Sequence, residues 1–215
     1  MKAPPMRSLP ILPVLAGLIF IVPVGGHAAP PGDPSALVTA LVSGLGRMMN
    51  DPALTTTDRE LGFARIVEAD CDLSRVARFA LGNYSAAGSD ADRTRFDQLF
   101  ERWVTHRFAR DLGRFDPASF SVKSVAQVPD GAIVSSEVAN GNHPVEVDWH
   151  VSSSGDHYRI VDVAMEGISM ALVEREEISD VLRRNGGTVA GLNRALEERL
   201  ASDDAAASTS AVAAH

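Results

Sequence analysis

The residues able to do chemistry are few and scattered. His143, His150 and His157 fall close together, and three imidazoles on one sheet face would suit a tetrahedral Zn²⁺. Their places in the pattern argue otherwise. His143 sits at a predicted hairpin tip, His150 on the polar face of a predicted strand, and His157 at the start of the next. They read as solvent-exposed histidines with no metal. No His-Glu-x-x-His and no Cys pair occur. Cys71, the one cysteine, lies between Asp70 and Asp72, and neighbouring carboxylates make a thiolate harder to form. It reads as a small structural residue at a helix junction. Ser169 follows Gly167-Ile168 but lacks the second glycine of a nucleophile elbow. A helix N-cap accounts for it better. Glycine loops for phosphate are absent. Asp162 remains, a carboxylate in mid-strand between Val161 and Val163. A buried Asp needs a backbone or Arg partner. Arg159 is in the same strand but falls on the opposite face by simple alternation. As a general base, Asp162 would belong to a small cone-shaped α+β enzyme acting on an apolar substrate.

The element that carries Asp162 is the most informative stretch of the chain. Residues 158–170 read Tyr-Arg-Ile-Val-Asp-Val-Ala-Met-Glu-Gly-Ile-Ser-Met. The spacing predicts a strand apolar on both faces, so that something covers both sides. A Glu166-Gly167 turn then leads into a helix capped by Ser169. Upstream, from about residue 118, the hydrophobic period is two. Phe120 opens a first strand, Pro129-Asp130-Gly131 marks a turn, and residues 132–139 form a second strand. Asn140-Gly141-Asn142 marks a tight hairpin. In the third strand Val145, Val147, Trp149 and Val151 share one face, and Glu146, Asp148, His150 and Ser152 the other. Ser154-Gly155 turns into the fourth. Parallel pairing would need long crossovers that the chain does not have, so the sheet is an antiparallel meander of four strands.

Helical periodicity occupies the flanks. Asp33-Pro34 opens a helix carrying Leu37, Leu41, Leu45 and Met48. Thr57 and Glu60 are spaced as a capping box ahead of Phe63, Ile66, Val67 and Cys71. Asp72 caps a short helix that ends at Gly82. Ser89 caps a fourth helix with the row Phe96, Leu99, Phe100, Trp103, Val104 and Phe108. That row reads first as core, and as a ligand wall too if the helix lies across the sheet. After the sheet come a helix ending at Asn185-Gly186-Gly187 and a last one capped by Thr188. The fold class is α+β, a four-stranded antiparallel meander flanked by N-terminal and C-terminal helices on one face, with an apolar cavity between sheet and helices.

The N-terminus has a different composition. Lys2 and Arg7 precede an apolar run over residues 9–24 that is broken by Pro10, Pro13 and Pro23, and Gly26-His27-Ala28-Ala29 offers small residues for cleavage. Residues 1–28 read as a secretory signal peptide, 29–202 as one domain, and 203–215 as a disordered, small-residue tail. The leader holds two cations and no acid, so its loss takes the formal charge from −8 to −10. A chain that acidic is a poor nucleic-acid partner and is repelled by anionic membrane surfaces. With one cysteine it has no internal disulfide.

Three blocks resemble a known family. They are residues 76–84, Val-Ala-Arg-Phe-Ala-Leu-Gly-Asn-Tyr; the aromatic-spaced residues 96–108; and residues 158–170. Gly186-Gly187 to Leu200 also fits. In order, over roughly residues 35–200, they resemble the periplasmic phospholipid-binding proteins of the Mla, or toluene-tolerance, family. The resemblance implies a soluble periplasmic carrier without cofactor or reaction. It implies acyl chains held in a deep apolar cavity. It also implies exchange with an inner-membrane MCE/ABC transporter complex and an outer-membrane lipoprotein complex, which together maintain lipid asymmetry. Ser85 where the family often has an aromatic, Cys71 where an aromatic is common, and His143-Pro144 in the hairpin depart from the pattern. They keep the hopanoid-associated subgroup, and a hopanoid ligand, in play. Facing and size nominate the cavity wall. Val147, Trp149 and Val151 come from the third strand, Val163 and Met165 from the fourth, and Ile168 and Met170 from the turn. Tyr84, Phe100 and Trp103 come from the helices. Two other readings stand beside the carrier: the enzyme with Asp162 as base, and an envelope adaptor that binds no ligand.

Overall fold

The computed structural model describes residues 32–86, 88–111, 119–140, 143–154 and 157–213. The expected leader and the tips of the second and third hairpins lie outside these residues. Four helices come first: α1 (Pro34–Met49), α2 (Thr56–Asp70), α3 (Leu73–Leu81) and α4 (Asp90–Asp111). A sheet follows, made of β1 (Ser121–Val128), β2 (Gly131–Asn140), β3 (His143–Ser154), β4 (His157–Met165) and β5 (Ile168–Ser169). Helices α5 (Met170–Arg184) and α6 (Val189–Ala213) close the chain.

Most helix starts form where the capping residues are. Asp33 accepts from the Ser35 amide at 2.9 Å, Asp72 from the Arg75 amide at 3.0 Å, and Ser89 from the Asp92 amide at 3.1 Å. The cap of α2 is shifted from the expected frame. The box is Thr55 with Asp58: Thr55 Oγ1 accepts from the Asp58 amide at 3.1 Å, and Asp58 Oδ2 accepts from the Thr55 amide at 3.0 Å. Three consecutive threonines offer three frames. The one chosen makes both reciprocal bonds and starts the helix two residues earlier. At the far end α6 continues to Ala213, through the segment expected to be a disordered tail.

The sheet is an antiparallel meander of order β1-β2-β3-β4-β5, with five strands instead of four. The additional strand follows from the turn at Glu166-Gly167, where both residues have positive φ (50° and 76°). Two such residues make the tight turn suited to a hairpin, so Ile168 folds back to pair with Met165. Glu166 is not a favoured residue there, and it is held twice to β3. Its amide donates to Glu146 O at 3.0 Å, and its Oε1 accepts from the Glu146 amide at 2.7 Å.

The double apolarity of β4 has a cause other than cover on two sides. Val151 pairs with Ile160, and His150 pairs with Asp162, so Val161 is an extra residue, a β-bulge. Cross-strand partners share a face. Tyr158 and Ile160 before the bulge, and Val163 and Met165 after it, therefore all lie on the face of Val147, Trp149 and Val151. The same face of β2 carries Ala132, Val134, Ser136 and Val138, all buried. The large apolar side chains of β4 thus lie on one helix-covered face, and on the other only Ala164, with Ser152 of β3, is buried.

Two cores result. Val38 and Leu41 of α1 pack on the sheet with Ala132, Val134, Val151, Tyr158 and Ile160. A second core, built from α3, α4, α5 and α6, centres on Phe96, Leu99, Phe100, Ile178, Leu182 and Leu192.

Candidate lipid site

A cavity of about 260 Å³ lies between the sheet and helices α1 to α5, with Leu73 and Val76 of α3 on its wall. Helix α1 contributes Leu41, Val42, Leu45 and Met49, and α2 adds Phe63 and Val67. The sheet contributes Val138, Val147, Trp149, Val161, Val163 and Met165. Val104 and Phe108 come from α4, and Met170, Ala171 and Glu174 from α5. The lining is apolar apart from two carboxylates. The bulge at Val161 matters here, because it turns Val163 and Met165 onto this side.

Of the residues nominated by facing and size, Val147, Trp149, Val163, Met165 and Met170 line the cavity. The other five lie elsewhere. Phe100 and Trp103 are buried in the helical core, with Tyr84 packed against it. Val151 is buried under α1 in the sheet core. Ile168 is 59% exposed, because β5 is an edge strand. The aromatic row of α4 thus divides along its length. Phe96 and Phe100 stack within the helical core at 5.6 Å, while Val104 and Phe108 reach the cavity. The walls supplied by α1 and α2 escaped sequence reasoning. Their stripes read as ordinary core, and only the tertiary arrangement separates core from cavity.

The polar groups near the cavity are mostly engaged. Trp149 Nε1 donates to Ser136 Oγ at 2.9 Å, and that hydroxyl donates to Val147 O at 3.0 Å. Asp162 finds its partners in the next turn. Its Oδ1 accepts from the Val163 and Ala171 amides at 2.8 and 2.9 Å, and its Oδ2 accepts from Ser169 Oγ at 2.5 Å. Ser169 Oγ in turn accepts from the Leu172 amide at 3.1 Å, the N-cap of α5. Asp162 is the joint between strand and helix. Arg159 is turned away from it, with Nη2 donating to the carbonyls of Glu68 and Ala69 at the end of α2. Burial pushes the Cys71 thiol up to about 12, with Asp70 adding to the effect and Arg159 opposing it, so it is neutral and unreactive at physiological pH. Among the described residues no group of three His, Cys, Asp or Glu is placed to hold a metal ion.

One carboxylate was not anticipated. Glu174 is 3% exposed on the cavity wall, with its Oε2 accepting from Trp103 Nε1 at 2.9 Å. It stands on the stripe Ala171, Glu174, Ile178, Leu182, all buried. A charge interrupting an apolar helical row is the signal that could have found it.

The model of the MlaC protein family matches residues 41–198, most of the chain. The chain belongs to the MlaC protein family. A solved structure, the phospholipid-binding protein from Ralstonia solanacearum in complex with a phospholipid, is similar to it in fold. The two share 21% sequence identity with a TM-score of 0.68, over 80% of this chain and 99% of that one. The α+β fold is therefore common to both.

Proposed function

We propose that this MlaC-family chain is an exported carrier that holds the acyl chains of a phospholipid in the cavity between the sheet and helices α1 to α5. It works in the periplasm, moving its cargo between inner- and outer-membrane complexes, without catalysing a reaction. The observation that carries this reading is the cavity itself, a pocket walled by the sheet and the helices and almost wholly apolar. The phospholipid bound by the Ralstonia protein of the same fold supports it. Each buried methylene contributes about 0.8 kcal/mol, so chain burial alone supplies ample affinity. About 260 Å³ is at the small end for a ligand site, so the walls part as a two-chain lipid enters.

The test is lipid extraction from protein purified out of an envelope fraction, followed by mass spectrometry. Phospholipid at near one per chain is expected. A polycyclic mass instead would assign the cargo to hopanoids. Protein that carries no lipid, and takes none up from vesicles, would reject the carrier in favour of an adaptor.

A further inference from the structure

The apolar wall carries one group whose hydrogen-bonding capacity is unspent. Glu174 Oε1 is buried with no hydrogen-bond partner. Its sister Oε2 is taken by Trp103 Nε1. The nearest cation, Arg107, has its Nε at 3.6 Å from Oε1, within ionic reach but too long for a hydrogen bond, and it also pairs with Glu177. A buried oxygen left without a partner is costly unless something supplies one. Because Glu174 lines the cavity, a bound ligand is placed to do so.

We propose that Glu174 is a polar subsite within the lipid cavity, whose Oε1 hydroxyl donates a hydrogen bond to an acyl-ester carbonyl at the root of a lipid chain. The inference rests on the carrier reading above. The roles divide by chemistry. Trp103 Nε1 only donates, so Oε2 is its acceptor, and when the acid is neutral Oε1 is the oxygen left to carry the proton. Burial is the largest influence on this carboxyl and raises its pKa, outweighing Trp103 and Arg107, with Glu177 assisting. An ester carbonyl only accepts, and it lies at the junction of chain and head group. A carboxyl there would set how deep the chains sit. It would also discriminate between chains attached by ester and chains attached by ether.

The experiment compares binding of two phosphatidylethanolamines with identical chain lengths, one ester-linked and one ether-linked, to delipidated full-length mature protein. Wild type is expected to prefer the ester lipid about fivefold, as one hydrogen bond predicts. Glu174→Gln keeps a donor and an acceptor in place and is expected to retain the preference. Glu174→Met is expected to bind both lipids equally. Circular dichroism confirms that each variant is folded, and the Gln variant carries the test if the Met variant is not. Equal binding of both lipids by wild type would overturn the subsite while leaving the carrier intact. Binding of neither lipid would overturn both.

Discussion

Asp162 behaves as a joint. Three donors converge on its carboxylate, two of them backbone amides on either side of the Glu166-Gly167 turn. Asp162→Ala strands those donors and is expected to lower the unfolding free energy by about 2 kcal/mol in urea titration. Asp162→Asn keeps one carbonyl acceptor and should cost roughly half as much or less. Equal losses, or none, would contradict the joint. Glu174 makes a pH prediction. Burial raises its carboxyl above the usual 4.5, so the folded protein binds that proton more tightly than the unfolded chain does. The stability so gained is complete below the unfolded value and is lost as pH rises through the higher folded one. Unfolding free energies measured upward from about pH 4 should therefore fall for wild type relative to Glu174→Gln. A constant difference between the two would contradict the raised value. That Asp162 needs a partner was legible in the sequence. Which partner was not, because two of the three donors, Ser169 and Ala171, come from across the Glu166-Gly167 turn, and a turn signal does not say how closely the chain doubles back.

At the scale of elements, caps, stripes and turns were largely readable, and most errors were of register. The Val161 bulge is the clearest case. Alternation counted along β4 alone puts its two apolar sets on opposite faces, and only pairing with β3 reunites them. The Thr55 box differs from the expected one by two residues in a run of three threonines, of which two have an acid three residues on. The β2–β3 register depends on a close approach at Gly131. A Cβ there would stand 2.0 Å from Val151 O and 2.9 Å from Ser152 Cα, and the φ of 154° disfavours any side chain. Gly131→Ala must push the strands apart. We expect a loss of about 3 kcal/mol, seen as a lower urea midpoint at unchanged m-value. A midpoint equal to wild type would mean the hairpin is free to shift.

For the molecule as a whole, the sequence conveyed the order of layers but not which apolar residues fill space and which enclose it. Phe100, Trp103 and Val151 have the same composition and facing as true wall residues, yet they lie in the two solid cores. Cavity and core are built from the same kinds of side chain, and the difference is where the packing of sheet and helices leaves a gap. Filling that gap should stabilise the fold. At lipid concentrations about a hundredfold above Kd, binding adds about 2.7 kcal/mol, which corresponds to roughly 5–10 °C in Tm by scanning calorimetry. A loaded protein melting with the delipidated one would speak against occupancy of the interior. The most direct test is photo-crosslinking with a phospholipid that carries a diazirine in one acyl chain, followed by peptide mapping. If the chains occupy this cavity, adducts fall on Met49, Phe63, Trp149, Val163 and Met170, drawn from five separate elements. Adducts confined to the exposed Ile168 and Leu172 would place the lipid on the surface and contradict the account.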